Sequence, residues 1–238
     1  MAKKQVFSYM ARQGKLRHAR QIIVIVLAFV LIYLAINSLV LSNVHTESTA
    51  MQPGINAGDR ILFLSHEVFD ILDTVVEKPL PKRGEVILID RSTTEPSLPR
   101  TILGAIVRLL TAQQIDITGN TKNLYIKRVV ALPGDEIYMS NYTLRIRTKD
   151  SPYSLTEFEL AGKPYNIIIP EDEGETWNSS LPFSGTMDRI TVQEGECFVL
   201  SDDRSATNDS RTWGTIPLDS IKGNAIFRYW PVQRIGAP

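Results

Sequence analysis

Cysteine is almost absent from this 238-residue chain, and histidine is scarce. The one cysteine, Cys197, excludes an intrachain disulfide framework and any Cys-x-x-Cys metal or redox site. His18, His45 and His66 are scattered, so there is no His-Glu-x-x-His motif and no two-histidine grip on a metal. No metal and no cofactor is expected. An excess of one charge is also missing. The chain has 26 Lys+Arg against 26 Asp+Glu, a formal net charge of zero, which gives no support for nucleic-acid binding. Internal repeats and low-complexity tracts are lacking. Apolar residues are plentiful at 43%, ample for a core in one or two domains.

The zero averages two unlike parts. Lys3, Lys4, Arg12, Lys15, Arg17 and Arg20 stand in the first 20 residues with no acid among them. Residues 22–41 carry no charge at all. As a helix they would measure roughly 30 Å, about the thickness of a bilayer's hydrocarbon core. That run is longer than a cleaved signal peptide's apolar region, and no clear Ala-x-Ala site follows within 42–49. An uncleaved transmembrane anchor at 22–41 is therefore expected. The positive-inside rule places a basic segment, 1–21, in the cytoplasm and residues 42–238 outside.

Beyond residue 41 the pattern is of short β-rich runs separated by Gly, Pro, Asn and Asp. Strands are expected at 60–64, 85–90, 124–132, 136–139, 143–147, 166–169, 197–201 and 225–230. Asn141 and Tyr142 suit a hairpin turn. One exception is helical: within 101–113, Ile102, Ala105, Ile106, Leu109 and Leu110 recur at i, i+3, i+4, i+7 and i+8. That inserted helix either packs on the β-domain or lies in the lipid headgroups. The polar stretch 151–187 suits an appended loop or lobe. The fold class expected is mainly β, behind an N-terminal transmembrane helix, with one short inserted helix.

Three segments concentrate chemistry. Residues 47–59 read Glu-Ser-Thr-Ala-Met-Gln-Pro-Gly-Ile-Asn-Ala-Gly-Asp, a loop feeding a strand. Residues 125–135 read Tyr-Ile-Lys-Arg-Val-Val-Ala-Leu-Pro-Gly-Asp. Strand alternation sends Lys127 and Arg128 to opposite faces, so either one cation points inward or the strand lies at an edge. Residues 201–217 open with Ser-Asp-Asp-Arg and are dense in Asp, Arg and Ser, as a hydrogen-bonded loop would be. Cys197, inside a strand, suits a small buried apolar residue. Trp213, Tyr229 and Trp230 suit core or membrane-interface positions.

In this order behind an anchor, these segments resemble bacterial type I signal peptidases (leader peptidases). The family pattern S-x-S-M-x-P-T-L-x-x-G-D meets Ser48 to Asp59, and R-G-D-[IV]-V meets Arg83 to Ile87. Y-[IV]-K-R-[VI]-x-x-L-P-G-D meets Tyr125 to Asp135, and G-D-N-R-x-x-S-x-D-S-R-x-W-G meets Ser201 to Gly214. The resemblance implies a Ser-Lys dyad endopeptidase that cuts exported preproteins after small-x-small sequences, on the outer face of the cytoplasmic membrane. Its partners would be such preproteins and membrane lipid, with no nucleic acid. It implies Lys127 as general base, a role open to lysine only when burial lowers its pKa. Thr207 takes the place of the hydroxyl that holds the lysine, and Asp209 and Arg211 match the pair that braces that loop. The Ser48 hydroxyl and the Ala50 backbone N–H match the oxyanion donors.

Four of the departures from the pattern stand out. Ala50 stands where the family has its nucleophilic serine, and a methyl group cannot attack a carbonyl. Gly54 replaces a threonine, Ser201 a glycine and Asp203 an asparagine. In an extended segment Thr49 would face away and Ser48 would lie roughly 7 Å from position 50, so neither substitutes efficiently. The chain is thus expected to be a signal peptidase inactivated by replacement of one side chain. The alternatives are a natural pseudoprotease that binds signal peptides, or a nucleophile supplied from elsewhere.

Overall fold

Residues 60–65 alternate half-buried and buried side chains, the period of two that a strand covered on one face requires. The computed structural model describes residues 18, 20–30, 41–66, 80–91, 107, 123–170 and 185–238. Eleven strands are found among them: β1 (Leu41–His45), β2 (Arg60–Ser65), β3 (Val86–Asp90), β4 (Leu124–Ala131), β5 (Glu136–Ser140), β6 (Thr143–Arg147), β7 (Leu155–Thr156), β8 (Met187–Thr191), β9 (Glu196–Leu200), β10 (Ile216–Pro217) and β11 (Ile221–Trp230). Two single-turn helices accompany them, α1 (Glu157–Leu160) and α2 (Ser210–Trp213). The mainly β architecture is as expected.

The strands form two antiparallel sheets. The larger has the order β1-β2-β11-β3-β4-β9-β10 and the smaller β7-β6-β5-β8. In β3 successive side chains enter different cores. Ile87 and Ile89 pack with Val129, Cys197 and Val199, whereas Val86 and Leu88 pack with Met51, Ile55, Ile61 and Phe63. The large sheet is covered on both faces there, which is why β3 is apolar almost throughout. A third cluster, around Ile137, Leu144, Ile146 and Phe198, joins the small sheet to β9.

Seven expected strands are present, most within a residue or two of their forecast ends; β11 begins earlier, at Ile221. The eighth, 166–169, is no strand: only Ile168 bridges, to Asp203. β4 is not an edge strand, because β3 and β9 flank it. Asn141 and Tyr142 make the β5–β6 turn with φ of 49° and 60°, the left-handed pair that a tight hairpin demands. The polar stretch after residue 150 supplies β7 to the small sheet.

Residues 20–30 are helical with their apolar side chains exposed, and residues 31–40 of the expected anchor lie outside the described residues. Among the described residues no helix is long and apolar enough to cross a membrane. Leu41, the last residue of the expected anchor, pairs with Leu64 as the first residue of β1. The inserted helix at 101–113 also lies outside the described residues, except that Val107 is helical.

Candidate active site

The site grows from the register between β4 and β9. Arg128 stands opposite Leu200 and Val129 opposite Val199, so the antiparallel ladder brings Lys127 beside Ser201 at the end of β9. Lys127 Nζ donates a hydrogen bond to Ser201 Oγ at 2.8 Å, and both residues are buried. Alternation puts Lys127 on the face of Ile87 and Val129, where Trp213 packs. Its Nζ lies 5.8 Å from the Trp213 ring centroid, within cation–π range. Tyr125 meets the same ring edge-on at 5.1 Å. Trp213 is therefore half-buried packing against the lysine's side of the sheet.

Burial pushes the Lys127 ammonium down to about 8, against the upward pull of Asp209. Arg211 pushes it further down and Asp202 pulls it up. The loop after β9 fixes these charges. Asp209 caps α2 through the Arg211 N–H and also accepts from the Ser201 N–H at 3.0 Å and from Arg211 Nε at 2.9 Å. Burial alone would raise the Asp209 carboxyl; the Arg211 guanidinium and the backbone donors hold it below its ordinary value. Arg211 also donates to the Arg204 carbonyl at 2.8 Å and to the Ala206 carbonyl.

Arg128 points to the other face. It grips Asp202 with two parallel bonds, Nε to Oδ1 at 2.7 Å and Nη2 to Oδ2 at 2.5 Å, and gives its third nitrogen to the Gly84 carbonyl. Gly54, at the end of the 48–54 segment, comes to this side. The segment is not extended as expected, because Met51 and Ile55 both turn into the core. Gln52 N–H returns to the Thr49 carbonyl and Ile55 N–H to the Met51 carbonyl. A Cβ on Gly54 would lie 3.3 Å from Asp202 Oδ2 and 3.6 Å from Arg128 Nη2, so the glycine lets the turn close on that ion pair. The Asp203 N–H donates to the Ala50 carbonyl at 3.0 Å, tying Ala50 to a residue two along from Ser201.

The residues singled out from the sequence thus fall into two linked groups. Lys127, Asp209 and Arg211 meet around Ser201, while Ser48 and Ala50 meet on the 48–54 turn. There the Ala50 N–H donates to Ser48 Oγ at 3.1 Å, so this donor is engaged by the very hydroxyl expected to work beside it. Thr207 is half-buried, and its carbonyl accepts from Asp209 N–H and from Thr212 Oγ1. The hydroxyl on Lys127 is that of Ser201, which the sequence marks only as a departure from glycine. The signal that could have found it is a polar residue ending an apolar strand opposite a lysine.

Two acids of the expected motifs serve the frame. Asp135 accepts from the Leu132 N–H at 2.8 Å and is clamped by Arg83, joining the 83–87 element to the turn after β4. Asp59 accepts from the Asn56 N–H at 2.9 Å and from Arg234 at 3.1 Å. Deeper still, Glu157 receives Arg204, the Tyr165 hydroxyl and the Leu144 N–H. Among the described residues no group of His, Cys, Asp and Glu could hold a metal ion.

A family model described as signal peptidase, peptidase S26, matches residues 19–230. The chain is 24% identical to a probable signal peptidase I-2 of Synechocystis over 209 residues, covering 87% of this chain and 71% of that one. It is 33% identical to signal peptidase IB of Staphylococcus aureus over 114 residues, covering 47% of this chain and 56% of the other. A crystal structure of a signal peptidase I from Enterococcus faecalis V583 matches 61% of this chain and 97% of its own, with 21% identity and a TM-score of 0.32.

Proposed function

The chain belongs to the signal peptidase, peptidase S26 family, and on that premise we propose that it is a membrane-anchored Ser-Lys endopeptidase of exported preproteins, left inactive by Ala50. The observation that carries this is the buried Lys127, hydrogen-bonded to a hydroxyl and brought down to about 8. A lysine so tuned can take a proton from an attacking serine near neutral pH, which an ordinary surface lysine cannot. At pH 7 about a tenth of it is neutral. Asp209, Arg211 and Asp202 set its charge environment, and all three are hydrogen-bonded in place. Burying ions with this much bracing is costly, and a chain with no remaining use for the lysine has no reason to maintain it.

A preprotein would bind extended, adding a strand and presenting small side chains at alternate positions to shallow pockets. The carbonyl to be cut would then face the Ser48 hydroxyl, whose own hydrogen remains to be donated while its oxygen accepts from Ala50. Without an attacking atom at position 50 the complex stops there. The test is Ala50→Ser in the full chain, assayed on a preprotein with an Ala-x-Ala site in detergent or lipid. Cleavage should rise by on the order of a thousandfold or more over the unaltered chain. Lys127→Ala in that background should abolish it. A folded Ala50→Ser that cuts no preprotein would leave a binding scaffold as the function. Comparable cleavage by the unaltered chain would show that position 50 is not the nucleophile's.

A further inference from the structure

Thr207 stands where the family resemblance puts the lysine-holding hydroxyl, and Ser201 where it puts a glycine. The hydrogen bonds distribute the roles differently. Ser201 is fully buried, its N–H is fixed by Asp209 Oδ2 at 3.0 Å, and its Oγ lies 2.8 Å from Lys127 Nζ. The β4–β9 ladder pairs Arg128 with Leu200, and Lys127 and Ser201 stand at the next position beyond that pair, so the strand register brings them side by side where the loop begins. Among the described residues no hydrogen bond joins Thr207 to Lys127; its carbonyl instead serves the turn into α2.

We propose that Ser201 is the positioning residue for Lys127, having taken over the task of the hydroxyl at position 207. A serine hydroxyl can serve the lysine in both of its states. It accepts from the ammonium, and after proton loss it rotates to donate to the neutral amine. It therefore holds Nζ in one place through a proton-transfer cycle, which a glycine at 201 could not do. Complete burial keeps Ser201 Oγ from a peptide carbonyl, so its action is through Lys127 and not on substrate. The inference rests on the proposed function only in taking Lys127 as the base.

Two measurements separate the inference from that function. The first needs no activity: follow Lys127 Nζ by ¹⁵N-lysine NMR in the full Ala50 chain in detergent, assigned with Lys127→Arg. Charged donors gain more from a hydrogen bond than neutral ones, so Ser201→Ala and Ser201→Gly should each lower the Lys127 midpoint by about half a unit or more. Thr207→Ala should move it less. The second uses the Ala50→Ser background, where Ser201→Ala should cut kcat about tenfold with KM kept and should shift the pH profile downward in step with the NMR midpoint. An unmoved midpoint in folded Ser201→Ala and Ser201→Gly overturns the proposal. So does a Thr207→Ala shift as large as theirs. Cleavage by the unaltered chain that Ser201→Ala abolishes would make Ser201 the nucleophile, overturning the positioning role. If Ala50→Ser is inert but the midpoint moves, the positioning stands and the proposed function falls.

Discussion

Lys127 is the residue on which the proposed chemistry turns, and its burial bears on stability as well. Its folded pKa of about 8 lies below its ordinary 10.5 because burial penalises the ammonium. Activity of the Ala50→Ser enzyme should therefore climb about tenfold per pH unit below 7 and level off above about 8, as the neutral amine becomes the majority. A profile flat from pH 5 to 8 would exclude this lysine as the base. The same shift has a stability consequence. Between about pH 8 and 10.5 the unfolded chain binds more protons at this site than the folded one, so folding stability from Lys127 rises with pH across that window. Below pH 8 the contribution is lost. Lys127→Met, which keeps the stem and removes the charge, should be more stable than the parent at pH 7 by about 1–3 kcal/mol, measured by urea unfolding. Lys127 was legible through the family resemblance, which matches it to the lysine of the dyad; alternation alone left open an edge strand with both cations in water, and the flanking β3 and β9 close that option. Ser201 was not legible, because its meaning depends on the β4–β9 register, which no local pattern states.

At the scale of elements, strands with alternating or wholly apolar runs announced themselves, and short or polar ones did not. β1 was hidden at the end of an apolar run, in Leu41–His45. β8 is an edge strand reading Met-Asp-Arg-Ile-Thr, with little alternation to see, and β7 and β10 are only two residues each. The bulge in β11 was equally silent. There the register slips between Ile221 and Gly223, and a Cβ on Gly223 would sit 2.4 Å from the Leu64 carbonyl oxygen. Backbone cannot yield as a side-chain tip can, so the glycine is what lets β11 lie between β2 and β3. Gly223→Ala should destabilise the protein by about 1–3 kcal/mol in urea, whereas Gly195→Ala, where a Cβ meets nothing, carries only the strain of its positive φ. The loop after β9 depends on charge instead. Asp209→Ala would leave buried Arg211 unpaired and the Ser201 N–H without its acceptor, at a cost of about 3–5 kcal/mol.

At the scale of the whole molecule the question is where the β-domain sits. Residues 22–41 carry no charge, six basic residues precede them, and β1 begins at Leu41, so the large sheet starts directly where the apolar run ends. On that sheet β11 leaves Ile226, Phe227 and Trp230 exposed, and Tyr229 ties it to β1 through Asn43 Oδ1 at 2.8 Å. Under the proposed membrane-anchored function, the domain would lie against the outer membrane face with the basic N-terminus inside, and this apolar surface would meet the lipid. Topology can be read with a single introduced thiol, because the native one is silent. Cys197 is fully buried, and its thiol is pushed up to about 12, leaving almost no thiolate at neutral pH. Tyr153, at 75% exposure, is the position for the reporter. In intact bacterial cells expressing the full chain, Tyr153→Cys should react with a membrane-impermeant maleimide while the parent chain does not. Labelling of Tyr153→Cys only after the membrane is opened would place the domain in the cytoplasm, away from exported preproteins, and with it would fall the proposed substrate class.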